Sequence, residues 1–419
     1  MVLIAHAADL HFGHTRRAED IESSLREMID ILKKEHLKFL IIAGDVFDRD
    51  RPENIILKRF HEIMKDFYDS GGRVFAVRGD HDTPKASKKG NPLDTISTYI
   101  GGSFLNLEIN LNGNPAYIIE ESGEKIFLYS FPFVPKAVRR REDYLNIFKK
   151  IEKNAKENGG KSILIGHFPI SELFPFEEGY SLSELPDYIN YYALGHLHFR
   201  IIEKVKRGIL AYPSSIEILN VNEINDWKKN GKGFYIVDFS EDVPNVQKVN
   251  LNIRPMELFR GEDVKLLIEE VKRYLSGNFS KSPYIKIELK VDRGKKREAR
   301  IAIRSSINKE KVYELEIEIR EKEAKDLFLN NERVRKESES VDIITSRLGD
   351  KNLALLLLEL KECAIESKDF EKECNEILNS LFQNPTIKKI SGSPCIEGVS
   401  QFLTKQEGEN KNGLLSYVR

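Results

Sequence analysis

Residues 38–48 read KFLIIAGDVFD, an apolar run that stops at Gly44-Asp45. A short run of this kind, closed by Gly and Asp, has the signature of a buried strand running into a loop. The same design recurs on both sides of it. Val2–Ala8 stops at Asp9, and Arg73–Val77 stops at Gly79-Asp80-His81. Two stretches at helical spacing separate the three runs. Glu19–Lys34 carries Ile21, Leu25, Met28, Ile29 and Leu32; Pro52 begins another with Ile55, Ile56, Phe60, Ile63, Met64 and Phe67. The order β-α-β-α-β predicts an α/β fold with parallel strands joined by right-handed crossovers.

Further along, the spacing predicts strands over Phe104–Asn110, Ala116–Glu120 and Lys125–Ser130, and a charged helix over Glu142–Asn158. Strands at Ser162–Ile165, Tyr191–Leu194, Ile209–Tyr212 and Gly233–Phe239 complete a first domain over 1–252. Residues 253–320 read as a small second domain, with a helix over Gly261–Leu275 and a strand over Tyr284–Val291. A charged linker over 321–350, two amphipathic helices over 351–383 and a loose tail over 384–419 follow.

With 419 residues the chain suits two or three domains. Lys and Arg number 66 against 67 Asp and Glu, which excludes a uniformly basic nucleic-acid coat and leaves room for local patches. Hydrophobic content of 40% beside 32% charged residues fits a folded globular protein rather than a disordered one. The three cysteines, Cys363, Cys374 and Cys395, form neither a disulfide framework nor a CxxC zinc pattern, which suggests a reducing interior. No apolar run is long enough to span a membrane and no signal peptide is legible, so the expectation is a cytoplasmic protein. Low Gln and Met with abundant Lys and Glu lean towards a thermophilic profile.

Five of the nine histidines sit in polar clusters directly after strands. The clusters are Asp9-Leu10-His11, Gly44-Asp45-Val46-Phe47-Asp48, Gly79-Asp80-His81-Asp82, Gly166-His167 and Gly195-His196-Leu197-His198. Ligands of open α/β sheets gather outside the carboxyl ends of the strands, so these loops should converge on one rim. One Asp-x-His is a common loop composition, but five such clusters in order are not. Asp and His together suit borderline divalent metals such as Mn, Fe or Zn. There are more ligand-type side chains than one tetrahedral ion needs, which predicts two ions, with Asp45 on the central strand as the natural bridge.

The order D-x-H, G-D-x-x-D, G-D-H-D, H, G-H-x-H resembles the calcineurin-like metallophosphoesterases. Asp-Leu-His-Phe-Gly at 9–13, Gly-Asp-Val-Phe-Asp-Arg-Asp-Arg-Pro at 44–52 and Ala-Leu-Gly-His-Leu-His at 193–198 resemble, more narrowly, the archaeal Mre-eleven/SbcD family of DNA double-strand-break nucleases. The resemblance implies a metallophosphoesterase β-sandwich flanked by helices, a small α+β capping domain and a C-terminal helical pair. It implies two Mn2+ ions per subunit. Asp9, His11 and His198 would hold the first, Asp80, His167 and His196 the second, with Asp45 bridging. His81 would serve catalysis, protonating the leaving oxygen. It also implies DNA ends as substrate, 3'-5' exonuclease and single-strand endonuclease action, a homodimer through a helix such as Asn54–Tyr68, and a Rad-fifty/SbcC-type coiled-coil ATPase as partner. The docking surface for that partner would be the helical pair, through Leu353, Leu357, Leu360, Phe370 and Leu378. The family has Asn where this chain has Asp80. Either the added carboxylate tightens the second ion and repels phosphate, or it is a tolerated exchange of one ligand for another.

Basic residues flank the motif loops at Arg16, Arg17, Arg49, Arg51, Lys85, Lys88 and Lys89, and could hold DNA phosphates. A basic run at 290–304, including Lys295 and Lys296, carries seven Lys or Arg against two acids and suits backbone contact with duplex. His6, His36 and His61 read as ordinary fold positions, and His14 is given no role. A metallophosphatase acting on a small or protein phosphoester, and a non-catalytic scaffold at DNA ends, stand as the alternative functions.

Overall fold

The computed structural model describes residues 2–84, 90–121, 123–135 and 140–322. The expectations for Lys85, Lys88 and Lys89, for nearly all of the linker, for the helical pair with its five docking residues, and for the tail lie outside the described residues.

The elements follow one another as β1 (Leu3–Ala7), α1 (Ala18–Lys34), β2 (Phe39–Ala43), α2 (Asn54–Asp69), β3 (Arg73–Val77), α3 (Pro92–Ile100) and β4 (Phe104–Asn106). Next come β5 (Tyr117–Glu121), β6 (Glu124–Phe131), α4 (Arg141–Asn158), β7 (Lys161–His167), β8 (Tyr191–Gly195), β9 (Arg200–Val205), β10 (Gly208–Pro213), α5 (Ile224–Asn230), β11 (Gly233–Asp238) and β12 (Asn245–Asn250). The remainder is β13 (Met256–Gly261), α6 (Val264–Tyr274), β14 (Tyr284–Val291), α7 (Lys296–Ser306) and β15 (Glu314–Glu321).

The strands form two six-stranded sheets, ordered β12-β11-β1-β2-β3-β4 and β5-β6-β7-β8-β10-β9, and a three-stranded sheet β13-β14-β15. β1 to β4 are mutually parallel, as are β6, β7, β8 and β10, so their carboxyl ends share an edge within each sheet. Period-2 alternation divides each strand between two cores. In β2, Leu40 and Ile42 face α1 and α2 in one apolar cluster, while Ile41 and Ala43 join Ile163, Ile165, Tyr191 and Ala193 of the second sheet in another. The second sheet's outer face is closed by Tyr144, Ile147, Phe148 and Ile151 of α4. Two sheets stacked face to face and covered by helices make the α/β sandwich. β13 to β15 with α6 and α7 have their own apolar cluster, centred on Val271, Ile285, Ile287 and Ile303.

Three helices, α3, α5 and α7, fall where the sequence pattern predicts none, and α5 is only seven residues long. α3 is short, and its signals are an Asn91 cap and Pro92 at the first position. α7 lies inside the basic run, where Arg and Lys outnumber the buried Ala299 and Ile303 and mask the apolar stripe. Among the described residues no helix is long and apolar enough to cross a membrane.

Candidate metal centre

Asp9 and His11 follow β1, Asp45 follows β2, Asp80 and His81 follow β3, His167 ends β7, and His196 and His198 follow β8. All eight come together. Ligand atoms of Asp9, His11 and His198 lie within 4.8 Å of one another. So do those of Asp80, His167 and His196; of Asp9, Asp45 and His167; and of His11, Asp45 and His81. Asp45 is thus common to two of these groups.

The backbone is bent to achieve this. Asp9 (φ 52°), His11 (φ 47°), Asp45 (φ 48°) and His196 (φ 98°) all occupy positive φ, a region that non-glycine residues seldom enter and that tends to mark functional sites. Gly44, at φ 85°, has no room for a side chain, since a Cβ there would lie 2.1 Å from His167 Nδ1. A Cβ at Gly79 would lie 2.0 Å from Asp45 Oδ1. These glycines let three loops approach to within contact.

Hydrogen bonds fix the side chains. The His196 N–H donates to both oxygens of Asp9, at 2.9 and 3.2 Å, and the His81 N–H donates to Asp45 Oδ1 at 3.0 Å. His167 Nδ1 donates to the Ala43 carbonyl at 2.9 Å, which leaves Nε2 directed at Asp80 Oδ1 (3.2 Å) and Asp45 Oδ2 (3.5 Å). His81 Nδ1 donates to the Asp48 carbonyl at 2.9 Å, leaving its Nε2 free. His81 is exposed and stands edge-on to His11, ring centres 4.6 Å apart.

Charge is concentrated here. Burial alone would raise the Asp80 and Asp45 carboxyls, but their histidine neighbours outweigh it and hold both below the usual carboxylate range. For His167, burial opposes protonation, yet the surrounding carboxylates raise it well above an ordinary imidazole. Among the described residues, the ion-pair partners of Asp9, Asp45 and Asp80 are all histidines, with no Lys or Arg. His11 Nε2 and His198 Nε2 face each other at 3.1 Å. Two imidazole nitrogens converging beside buried carboxylates that no Lys or Arg pairs with are a donor set that suits divalent metal.

Four supporting residues were not legible as such in sequence. Asp82 is fully buried and its carboxylate accepts the N–H groups of Val46 (3.1 Å), Phe47 (2.8 Å) and Gly79 (3.0 Å), tying the Asp45 and Asp80 loops together. Burial and the adjacent Asp45 charge push its carboxyl up to about 6. Glu177, on the loop after β7, reaches His196 Nε2 at 2.9 Å. Glu223 reaches His198 Nδ1 at 3.0 Å, and Lys232 pairs with Glu223 at 2.5 Å. Burial works against the Glu223 charge, but Lys232 and His198 outweigh it and bring the carboxyl down to about 2. The signal for Asp82 lay in its own motif, G-D-H-D; for the others it is purely three-dimensional.

The flanking basic residues divide. Arg49 is exposed beside the site, 3.7 Å from Asp48. Arg16 is exposed but paired with Glu316 of β15 at 2.6 Å. Arg17 corrects the expectation of a phosphate contact: it is 2% exposed and held by Glu217 at 2.9 Å and Asp20 at 3.5 Å, so it braces the fold. Lys295 and Lys296 are exposed at the start of α7.

A two-sheet sandwich with Asp and His at the parallel strand ends defines a phosphoesterase class, and residues 2–200 match the calcineurin-like phosphoesterase family. The chain is 31% identical over 280 residues to the DNA double-strand break repair protein Mre11 of Methanocaldococcus jannaschii, covering 65% of this chain and 73% of that one. It is 30% identical over 266 residues to Mre11 of Saccharolobus solfataricus (62% and 66%), and 28% identical over 286 residues to that of Methanococcus maripaludis (65% and 74%). The chain belongs to the Mre11 family.

Proposed function

We propose that this protein is a two-metal DNA nuclease that hydrolyses phosphodiesters at broken DNA ends, using two Mn2+ ions per subunit. The observation that carries the reading is the convergence of three carboxylates and four imidazoles, from both sheets, on one rim. Asp9, His11 and His198 would hold one ion, Asp80, His167 and His196 the other, and Asp45 both. When bound, such a pair supplies an activated water and neutralises the charge of a phosphoryl group under in-line attack. The side chains do the rest. His81, held at Nδ1 by the Asp48 carbonyl, keeps Nε2 available to carry a proton to the leaving oxygen. Arg49, exposed beside it, would hold a flanking phosphate. The extra carboxylate at Asp80 strengthens the negative field on the second ion.

The family resemblance supports a homodimer and a coiled-coil ATPase partner of the Rad-fifty/SbcC type. For the dimer, α2 offers Ile55 and Tyr68 and α3 offers Tyr99, all exposed. Truncation after about residue 345 should leave metal binding intact and abolish assembly with the ATPase. Co-purification at full strength would move the docking role to the capping domain, residues 253–320.

The decisive experiment compares linear duplex, circular single strands and p-nitrophenyl phosphate, each with Mn2+ and with a chelator. Cleavage of DNA only with metal is expected. Turnover of the monoester without DNA cleavage would replace this reading with a phosphatase; DNA binding without either would make the protein a scaffold.

A further inference from the structure

An imidazole that ligates a metal usually has its other ring nitrogen held by an acceptor, which fixes the tautomer and the ring's orientation. His167 is held by a neutral backbone carbonyl, that of Ala43. His196 is held by Glu177, which stands in solvent. His198 differs, because its partner Glu223 is a buried carboxylate, 2% exposed, with a buried cation behind it. Lys232, 1% exposed, donates to Glu223 Oε2 (2.5 Å), to Ser215 Oγ (2.7 Å) and to the carbonyl of His198 itself (2.8 Å). Glu223 is gripped further by the Asn220 N–H at 3.0 Å and the Ser215 hydroxyl at 2.9 Å.

Burying one charge without a partner is strongly unfavourable, and a buried pair often gains little stability over an apolar substitute. A Lys–Glu pair aimed at one imidazole from both its ring and its backbone therefore calls for a role beyond stability. We propose that Glu223 and Lys232 are positioning residues for His198. Glu223 accepts the hydrogen bond from His198 Nδ1–H, which fixes the tautomer with Nε2 bare and turns that nitrogen towards the first metal position. Lys232 holds the Glu223 charge in place and anchors the His198 main chain. The pair thereby sets the affinity of the first metal position. This rests on the metal-site reading above.

Two variants keep the buried charges balanced. Glu223→Asp retains the charge for Lys232 but withdraws it from His198 by one methylene. Glu223→Gln combined with Lys232→Met removes both charges together. Titration calorimetry with Mn2+ alone should show the first ion bound about 10–100-fold more weakly in either variant, with the second unchanged. Nitrogen NMR of the metal-free wild type, above the imidazole titration range, should show His198 protonated at Nδ1. A folded variant with both affinities unchanged overturns the proposal. A wild-type His198 protonated at Nε2 overturns it without any variant. Wild-type protein that binds no Mn2+ while His198 is protonated at Nδ1 refutes the metal-site reading instead and leaves the hydrogen bond standing.

Discussion

Asp82→Ala should be among the most damaging substitutions in the protein, although Asp82 is given no place in the metal or proton chemistry. Its carboxylate accepts three main-chain N–H groups at 2.8–3.1 Å, from Val46, Phe47 and Gly79, in a site with no solvent exposure. Each buried donor left without an acceptor costs about 1–3 kcal/mol. Three of them cost about 3 kcal/mol even at the low end, a large share of an ordinary domain's ~5–15 kcal/mol. Asp82→Asn should lose less. A carbonyl in the place of Oδ2 keeps Val46 and Gly79 as partners and strands only Phe47, a loss of about 1–3 kcal/mol. Relief of repulsion between Asp45 and Asp82 offsets part of it. Urea unfolding of the metal-free protein, followed by the single tryptophan, Trp227, reads the midpoints directly. The expected order is wild type, then Asn, then Ala. An alanine variant within about 0.5 kcal/mol of wild type, the range of inert surface changes, would refute the anchoring argument.

Asp45→Ala should bind neither ion, and metal analysis finding two ions retained would rule out the bridging role. His81→Ala should keep metal and DNA binding but lose about 10²–10⁴-fold in cleavage, the usual share of a general acid or base; loss of metal in that variant would show the roles to be misassigned. Asp80→Asn should weaken Mn2+ at the second position or raise turnover by removing a carboxylate charge, and unchanged calorimetry with unchanged kinetics would make the exchange neutral. His6 is fully buried, and burial lowers its pKa to about 3, so it is neutral in the fold while the unfolded chain takes up a proton near pH 6.5. A depressed base loses stability as pH falls below the unfolded value, which amounts to about 2 kcal/mol between pH 7 and 5. His6→Leu should flatten that part of the stability profile, and an equally steep profile would discard the assignment.

The first three strands and their helices were legible because each apolar run ends abruptly at Gly or Asp, and because the amphipathic spacing of Ile21 to Leu32 and Ile55 to Phe67 is clean. The D-x-H to G-H-x-H order identified the class for the same reason: a metal needs particular atoms at strand ends, and those residue types are short, polar and conspicuous against apolar neighbours. What stayed hidden depends on distant pairing. Nothing local in Glu223 or Lys232 says that they meet under His198, and nothing in Glu177 says that its loop folds back on His196. Arg17 misled because a charged side chain reads as solvated until its partner Glu217, 200 positions away, is seen. α7 was obscured by its charge, since only Ala299 and Ile303 of its residues are buried.

The chain's path through the first sheet bears on how the molecule is made. β1 pairs on one side with β2 and on the other, antiparallel, with β11, so Leu3 sits opposite Asp238. Joining residues so far apart must wait on loop closure, the step that slows proteins of high contact order. During synthesis β1 therefore keeps one edge open, with Asp9 and His11 just beyond its end, until residues 233–238 have emerged. An exposed edge of apolar residues is a template for wrong partners. The candidate metal-ligating side chains also exist on the nascent chain long before the rest of the site does. Fidelity of assembly, as much as the finished geometry, thus hangs on the late arrival of residues 233–238.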